Sequence, residues 1–470
     1  MKREISALFF LAISLSAGMA AIPGVACGAA YHVGPDTYRD ILKDLVPGDH
    51  VHLMPGVYKD GLPLHHLSGT PRAPIMLSGP REEPRAIFVA RPRHNTISIV
   101  NSSYITVSNL DIDGRNLPVS GVKCEGHANW AHHITLDGLR IRGHGRHQQT
   151  VAISTKCPAW GWVIRNNKIL GSGTGLYLGD SDGSAPFIAG LIERNLIVDT
   201  LGYNLQIKHQ QPRKMLPGMP VASSTTIIRH NVFSKRQHGS REMARPNVLV
   251  GHWPVSGSGA DDRYVVYGNF FYENPDESLF QGEGNIALYN NLFVNHFGDA
   301  IRIQPHNDIP REVSIFCNTI IASNTGIVLA RGLGSLAYHQ WVIANIVFAR
   351  SPIRGVPQEK NLTGMPDEAG NYLVNPYVSP GQMNLVPRDL KVREEAQEQK
   401  FFDDYPDAGL DFDGDPHERV RMGAYSVGKG RPQWLPKLEI KPFFPALEED
   451  VRAIHQETVT SKTNPKGVIK

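Results

Sequence analysis

The chain has 470 residues, is 41% hydrophobic and 20% charged, and carries a formal net charge of only +3. That composition excludes a disordered or acidic solvating chain, and the scattered basic residues exclude a nucleic-acid-binding face. Such a chain has the apolar content to build a large core.

The first residues, Met1-Lys2-Arg3, then the apolar run Ala7–Leu15, then "GVACGAA", follow the charged, apolar and small-residue order of a secretory signal. Residues 1–30 are therefore set apart as a leader, and the mature chain is expected to be secreted or periplasmic. No later segment approaches the roughly 20 apolar residues of a membrane span. Cys27 lacks the leucine that usually opens a lipoprotein box, so a lipid anchor is the minor reading. Beyond the leader, Cys124, Cys157 and Cys317 are too few for a disulfide framework and show no zinc spacing. They read as buried thiols, with a single Cys124–Cys157 disulfide as the alternative in an exported protein.

Residues 31–92 read as an N-terminal cap with the first coils. In "DTYRDILKDLVPGDHVHLMPGVY", Ile41, Leu42 and Leu45 fall at helical spacing, predicting a capping helix from Thr37 to Leu45 that Pro47-Gly48 ends.

Residues 93–360 are a repeat. "ITVSNLDI", "ITLDGLRI", "VIRNNKI", "LIERNLI", "IIRHNVF", "VVYGNFF", "ALYNNLF", "SIFCNTI" and "VIANIVF" share a β-branched run, a small polar residue and a second apolar run. Aligned, they place Asn109, Gly138, Asn167, Asn195, Asn231, Asn269, Asn291, Asn318 and Asn345 in one column. The shortest interval, 22 residues from Asn269 to Asn291, leaves no room for a helix in a coil of three short strands. The fold class this predicts is all-β: a parallel β-helix solenoid with a short N-terminal capping helix, its amides hydrogen-bonded up the stack. Right-handedness follows from crossover chirality. Residues 361–427 read as an irregular segment packing on the last coils, and residues 428–470 as an extended or disordered tail.

A second strand set, "GLYLGD", "NLQIKH", "NVLVGH", "SLFQGE", "AIRIQP" and "GIVLAR", alternates with the first. With second and fourth residues inward, Tyr177, Gln206, Leu249, Phe280, Arg302 and Val328 form one outward column. Gly179, Lys208, Gly251, Gly282, Gln304 and Ala330 form the next. Asp180, His209, His252, Glu283, His306 and Arg331 sit where these strands end. The longest coils carry insertions after His209, before Val248 and after His252, so they would wall this face. Tyr177, Phe280 and Trp253 would offer sugar rings an apolar surface. Lys123 and Glu125 form a second cluster on an earlier coil.

The stretches "LVPGDHVHLMPGVY", "APIMLSGP", "ITVSNLDIDG" and "DFDGDPHERVRMGAYSVG", with the Asn-rich coils between them, make residues 31–427 resemble exported right-handed β-helix proteins of the pectate-lyase-like superfamily. Within it, the cap and early coils resemble the chondroitinase B and alginate lyase group. The resemblance implies polysaccharide chemistry, and lyases of this fold use lysine or arginine as base. On that expectation Lys208 is the base, Arg302 grips a uronate carboxylate, and His252 or His306 protonates the leaving oxygen. Tyr177, Asp180, Gln206, His209, Trp253, Phe280 and Glu283 would line the substrate. The competing readings are a uronate epimerase, a glycoside hydrolase using a carboxylate pair, and a non-catalytic glycan-binding adhesin. The expected partner is an acidic polysaccharide and the expected state a monomer. No cofactor motif appears, although Asp411, Asp413 and Asp415 in "DFDGD" offer oxygen ligands that calcium would take.

Overall fold

The computed structural model describes residues 28–126, 128–237, 244–332, 334, 337–388, 404–417 and 421–442. The expected leader falls almost wholly outside them. The described chain coils into three parallel ladders. The first runs from strand Ala30–Val33 to strand Gln340–Ile343, and the second from Gly56–Tyr58 to Leu362–Gly364. The third runs from Leu62–His65 to the far ends of the long strands Thr319–Leu329 and Ile346–Arg354. Every pair within these ladders is parallel, and the chain is an all-β, right-handed parallel β-helix solenoid. No described helix is long and apolar enough to cross a membrane.

The corner between the first and second ladders explains the repeat. One residue of each coil turns the chain through the left-handed region, with φ between +50° and +68° from Asn109 to Lys360. Asparagine and glycine tolerate that region best, and they fill the corner at Asn109, Gly138, Asn166, Gly268 and Asn290. Gly268 is further constrained, because a Cβ there would come within 2.4 Å of the His230 imidazole on the preceding coil. The following residue points inward. From Asn167 it is always asparagine: 167, 195, 231, 269, 291, 318, 345 and 361 each lie in one buried column. In each step the lower residue's backbone N–H and Nδ2 both donate to the next Oδ1, at 2.8–3.1 Å. Nδ2 also donates to carbonyls, so the buried amide is satisfied.

Two details of the expected column change. Asn109 and Gly138 are corner residues, and the inward position of their coils is taken by Leu110 and Leu139, since the Leu139 N–H donates to Asn167 Oδ1. The column also gains Asn361 at its far end, only 16 residues after Asn345.

The capping helix spans Tyr38–Leu42, shorter than expected; Leu45 is buried beyond its end, and Tyr38 Oη donates to the Gly61 carbonyl at 2.5 Å. Cys124 and Cys157 are joined in a disulfide between neighbouring coils, while Cys317 is a buried free thiol.

The irregular segment beyond the coils is anchored on the outer face of the first ladder. Tyr267, Tyr289 and Phe316 stack at 5.0 and 4.7 Å, and the Asp407 carboxylate accepts from the Tyr267 hydroxyl at 2.6 Å. Residues 428–442 have no helix or strand, but they are packed rather than free: Trp434 and Lys441 are buried. Residues 443–470 lie outside the described residues.

Candidate functional site

The third ladder fixes which side chains share a face. Its register joins Leu176, Leu205, Val248, Phe280 and Ile301 as inward residues and Tyr177, Gln206, Leu249, Gln281 and Arg302 as the outward column between them and the next inward row. Phe280 is therefore inward, fully buried and edge-on to Phe271, while Gln281 takes the outward place. The error is a one-residue slip, which moves every side chain of a strand to the opposite face. "SLFQGE" invited it because Leu279 and Phe280 are adjacent and both buried. Trp253 also belongs to the core: it is fully buried and stacked on Tyr264 at 4.4 Å. Neither ring can lie against a ligand.

The second outward column starts earlier than the sequence suggested. Lys156 lies beside Glu125, its N–H donating to the Cys124 carbonyl, and Lys208 lies beside Gly179, its N–H donating to the Leu178 carbonyl. Glu283 is the column partner of Gln304, two coils beyond Lys208. Lys156 and Lys208 thus come from the coils on either side of Tyr177. Their ammonium groups stand 3.6 and 6.0 Å from its ring centroid, where the ring face favours a cation. The Tyr177 hydroxyl shares a 2.9 Å hydrogen bond with Ser181.

Burial lowers the Lys156 pKa to about 8, against the pull of Asp180 and with help from Lys123 and Lys208. Lys208 is lowered by burial, opposed by Glu283 and Asp180. The two sequence clusters, one at Lys123 and one at Lys208, are thereby a single electrostatic site with Lys156 at its centre. Asp180 is buried and accepts from Ser184 Oγ and the Ala185 N–H at 3.0 and 2.9 Å. Burial raises the Glu283 pKa, opposed by the Asn307 N–H, which donates to Oε2 at 2.7 Å, and by His306.

The remaining candidates are spread along the face. Gln206 stands in the outward column between Tyr177 and Leu249 and is only 5% exposed. His209 packs against the Gly183 turn, its pKa lowered by burial and by Lys208. His252 is buried, with burial pushing its pKa down to about 4, so it is a neutral imidazole at pH 7. Arg302 lies three coils from Gln206, and its Nε donates to Asp299 Oδ2 at 2.9 Å and Nη1 to Gln304 Oε1 at 3.3 Å. His306 is exposed beside Glu283.

The first insertion is tied to the last and to an earlier coil. Buried Arg213 of the first pairs with Asp262 at the end of the last at 2.5 Å, and Trp160 Nε1 donates to the Gly218 carbonyl at 3.1 Å. Part of the middle insertion, residues 238–243, lies outside the described residues. In "DFDGD", Lys429 Nζ stands 2.9, 3.0 and 2.5 Å from Asp411, Asp413 and Asp415, so an ammonium sits among the three carboxylates. Among the described residues no group of three or more His, Cys, Asp or Glu is placed to hold a metal ion.

No protein-family model matches the chain, and no curated protein matches it. Solved structures do. An alginate lyase from Paenibacillus sp. str. FPU-7 is 16% identical over 72% of this chain and 97% of its own, with a TM-score of 0.37. The alginate lyase AlyGC is 14% identical over 71% of this chain, with a TM-score of 0.43, and the match spans about half of AlyGC (51%). The surface adhesin PfbA of Streptococcus pneumoniae is 12% identical over 63% of this chain and 82% of its own, with a TM-score of 0.34. The assignment of the fold rests on the ladders themselves.

Proposed function

We propose that the chain is an exported polysaccharide lyase that cleaves a uronate-containing glycan by β-elimination on the outer face of the third ladder. The observation that carries this reading is the pair of half-buried lysines from the two coils flanking Tyr177, one of them with its pKa brought near neutrality by burial.

Elimination needs a base at C5 of the uronate, a cation to neutralise the adjacent carboxylate, and a proton for the leaving oxygen. An amine with a pKa of about 8 is roughly one-tenth neutral at pH 7 and retains most of its basicity. In this reading Lys156 takes the C5 proton, the C4–O bond breaks as the C4=C5 double bond forms, and Lys208 holds the carboxylate. The Tyr177 phenol, whose pKa is raised by burial, stays protonated and can pass its proton to the leaving oxygen. Lys208, assigned the base role from sequence, thus becomes the partner of a better-placed base, and buried neutral His252 is not a donor. Arg302, paired with Asp299, would act farther along the glycan.

The test is absorbance near 235 nm on incubation with a panel of uronate polysaccharides. An unsaturated product supports the lyase; reducing ends without absorbance point to a hydrolase, altered uronate stereochemistry without cleavage to an epimerase, and binding alone to an adhesin. Assays with added calcium and with a chelator separate the side-chain mechanism proposed here from a metal-assisted one.

A further inference from the structure

A cavity of about 600 Å³ opens at the N-terminal end of the same ladder, its lining reaching Glu125, one coil before Lys156. Its charged lining is Arg39, Lys43, Arg91 and Arg93 against Asp60 and Glu125. The cations come from two separate pieces of the cap, the helix with its end and the loop 91–95, and the turn at residue 60 supplies Asp60. Part of the acidic charge is already engaged. The Asn95 amide donates to Glu125 Oε1 at 2.9 Å, and Asp60 lies 3.9 Å from Arg91. Arg91 Nε, by contrast, is buried without a hydrogen-bond partner, a donor that a buried site normally satisfies. Cavity size falls in the range of small-ligand sites.

The floor is continuous with the lysine face. Ser98, which lines the cavity, is the register partner of Lys123; Lys123 pairs with Ser154, Ser154 with Tyr177 and Tyr177 with Gln206. Glu125 is the column neighbour of Lys156. From the Ser98 coil it is two coil steps to the coil of Lys156 and four to that of Lys208, about 10 and 19 Å at the ordinary interstrand spacing, the reach of a short oligosaccharide.

We propose that this cavity is a distal anion-binding subsite that holds a carboxylated sugar of the glycan whose cleavage point lies at Lys156 and Lys208. The inference rests on reading the lysine face as a site for an acidic glycan. Binding there gives a long chain a second attachment whose effect on affinity is that of a tethered site. Oligomers too short to cover the four steps from the Lys208 coil to the Ser98 end of the cavity gain nothing from it.

The experiment is calorimetric binding of oligouronates of two to eight sugars, with neutral cello-oligosaccharides of equal length as controls. It uses the Lys156→Met chain, so that no substrate is consumed, with and without Lys43→Ala and Arg93→Ala. Both added positions are exposed, so the fold is not at risk. The expected result is a rise in affinity, on the order of tenfold, once the oligouronate exceeds the four-step span, a rise that the double substitution removes while leaving disaccharide affinity unchanged. No rise with length, a rise indifferent to the double substitution, or an equal rise with neutral sugars overturns the subsite while leaving the lyase reading intact. Oligouronate binding without cleavage by the native chain removes the lyase chemistry and leaves the subsite standing. An absence of binding to any oligouronate overturns both.

Discussion

Lys156 is the residue on which the proposed chemistry turns, and its lowered pKa makes a signed prediction. A base must be neutral to act, so kcat/KM should rise with pH through about 8 and level off above it. Lys156→Met should lower kcat/KM by a factor on the order of 10³ and abolish the rise, with little change in melting temperature because the side chain is half-exposed. Lys208→Met should lower kcat as well as raise KM while keeping the rise with pH, because the carboxylate it neutralises gains charge as the C5 proton leaves. A pH rise kept in Lys156→Met and lost in Lys208→Met would reverse the assignment. Lys156 escaped the sequence reading for a physical reason. Its strand, Val151–Thr155, is buried at every position, so the alternation that revealed the later strands is absent. Aligning Ile153 with Leu176 would have placed Lys156 in the column of Lys208.

At the scale of the element, the asparagine column was legible because each copy carries the same polar residue between apolar runs. The corner beside it was not, because two adjacent positions both favour asparagine for different reasons: φ at Asn109, Asn166 and Asn290, inward hydrogen bonding at Asn167 and Asn291. The column predicts a graded mutational cost. Asn269→Leu removes the Oδ1 that accepts from both the N–H and Nδ2 of Asn231; it strands the buried N–H, while Nδ2 keeps the Ile192 and Arg229 carbonyls. Each such group costs about 1–3 kcal/mol. Asn167→Leu, at the end of the column, strands only the Leu139 N–H, and leucine already fills the equivalent place at Leu110 and Leu139. Denaturant melting should therefore show Asn269→Leu to be the more damaging by about the value of that one lost Nδ2–Oδ1 bond, on the order of 1 kcal/mol; equal losses would mean that the amide-to-amide bonds of the column contribute nothing beyond the N–H bonds. The C-terminal segment adds a pH-dependent element. Lys441 is buried, donating to the Phe412 and Gly268 carbonyls at 2.5 and 3.0 Å, and burial lowers its pKa to about 7. Between pH 7 and the unfolded value near 10.4 the unfolded chain binds more protons than the folded one, so stability from this group rises with pH across that window. Lys441→Met should flatten the rise in melting temperature between pH 7 and 9. A slope unchanged by the substitution would assign it to other groups.

Across the whole molecule, each coil contacts mainly its two neighbours, so stability is a sum of local terms rather than the property of one core. The long apolar interior and the regular register made that architecture readable before any coordinate. The pairing of Cys124 with Cys157 was legible only as the alternative to buried thiols, because two cysteines in a solenoid meet only if their coils are adjacent and in step. The cross-link closes a 33-residue separation, for which chain entropy gives about 3–4 kcal/mol. In a solenoid that stabilisation is confined to the coils it joins, and those coils carry Lys123 and Lys156. Replacing both cysteines with serine should therefore raise hydrogen exchange in strands Val122–Cys124, Val151–Thr155 and Thr174–Leu178 while leaving strands Ile286–Tyr289 and Leu292–Asn295 protected by the asparagine column. Activity should fall at temperatures where the far coils remain folded, since the base loses its position before the solenoid melts. Exchange that rises uniformly along the chain would show instead that the coils unfold as one unit, and activity that persists until global melting would separate the disulfide from the site.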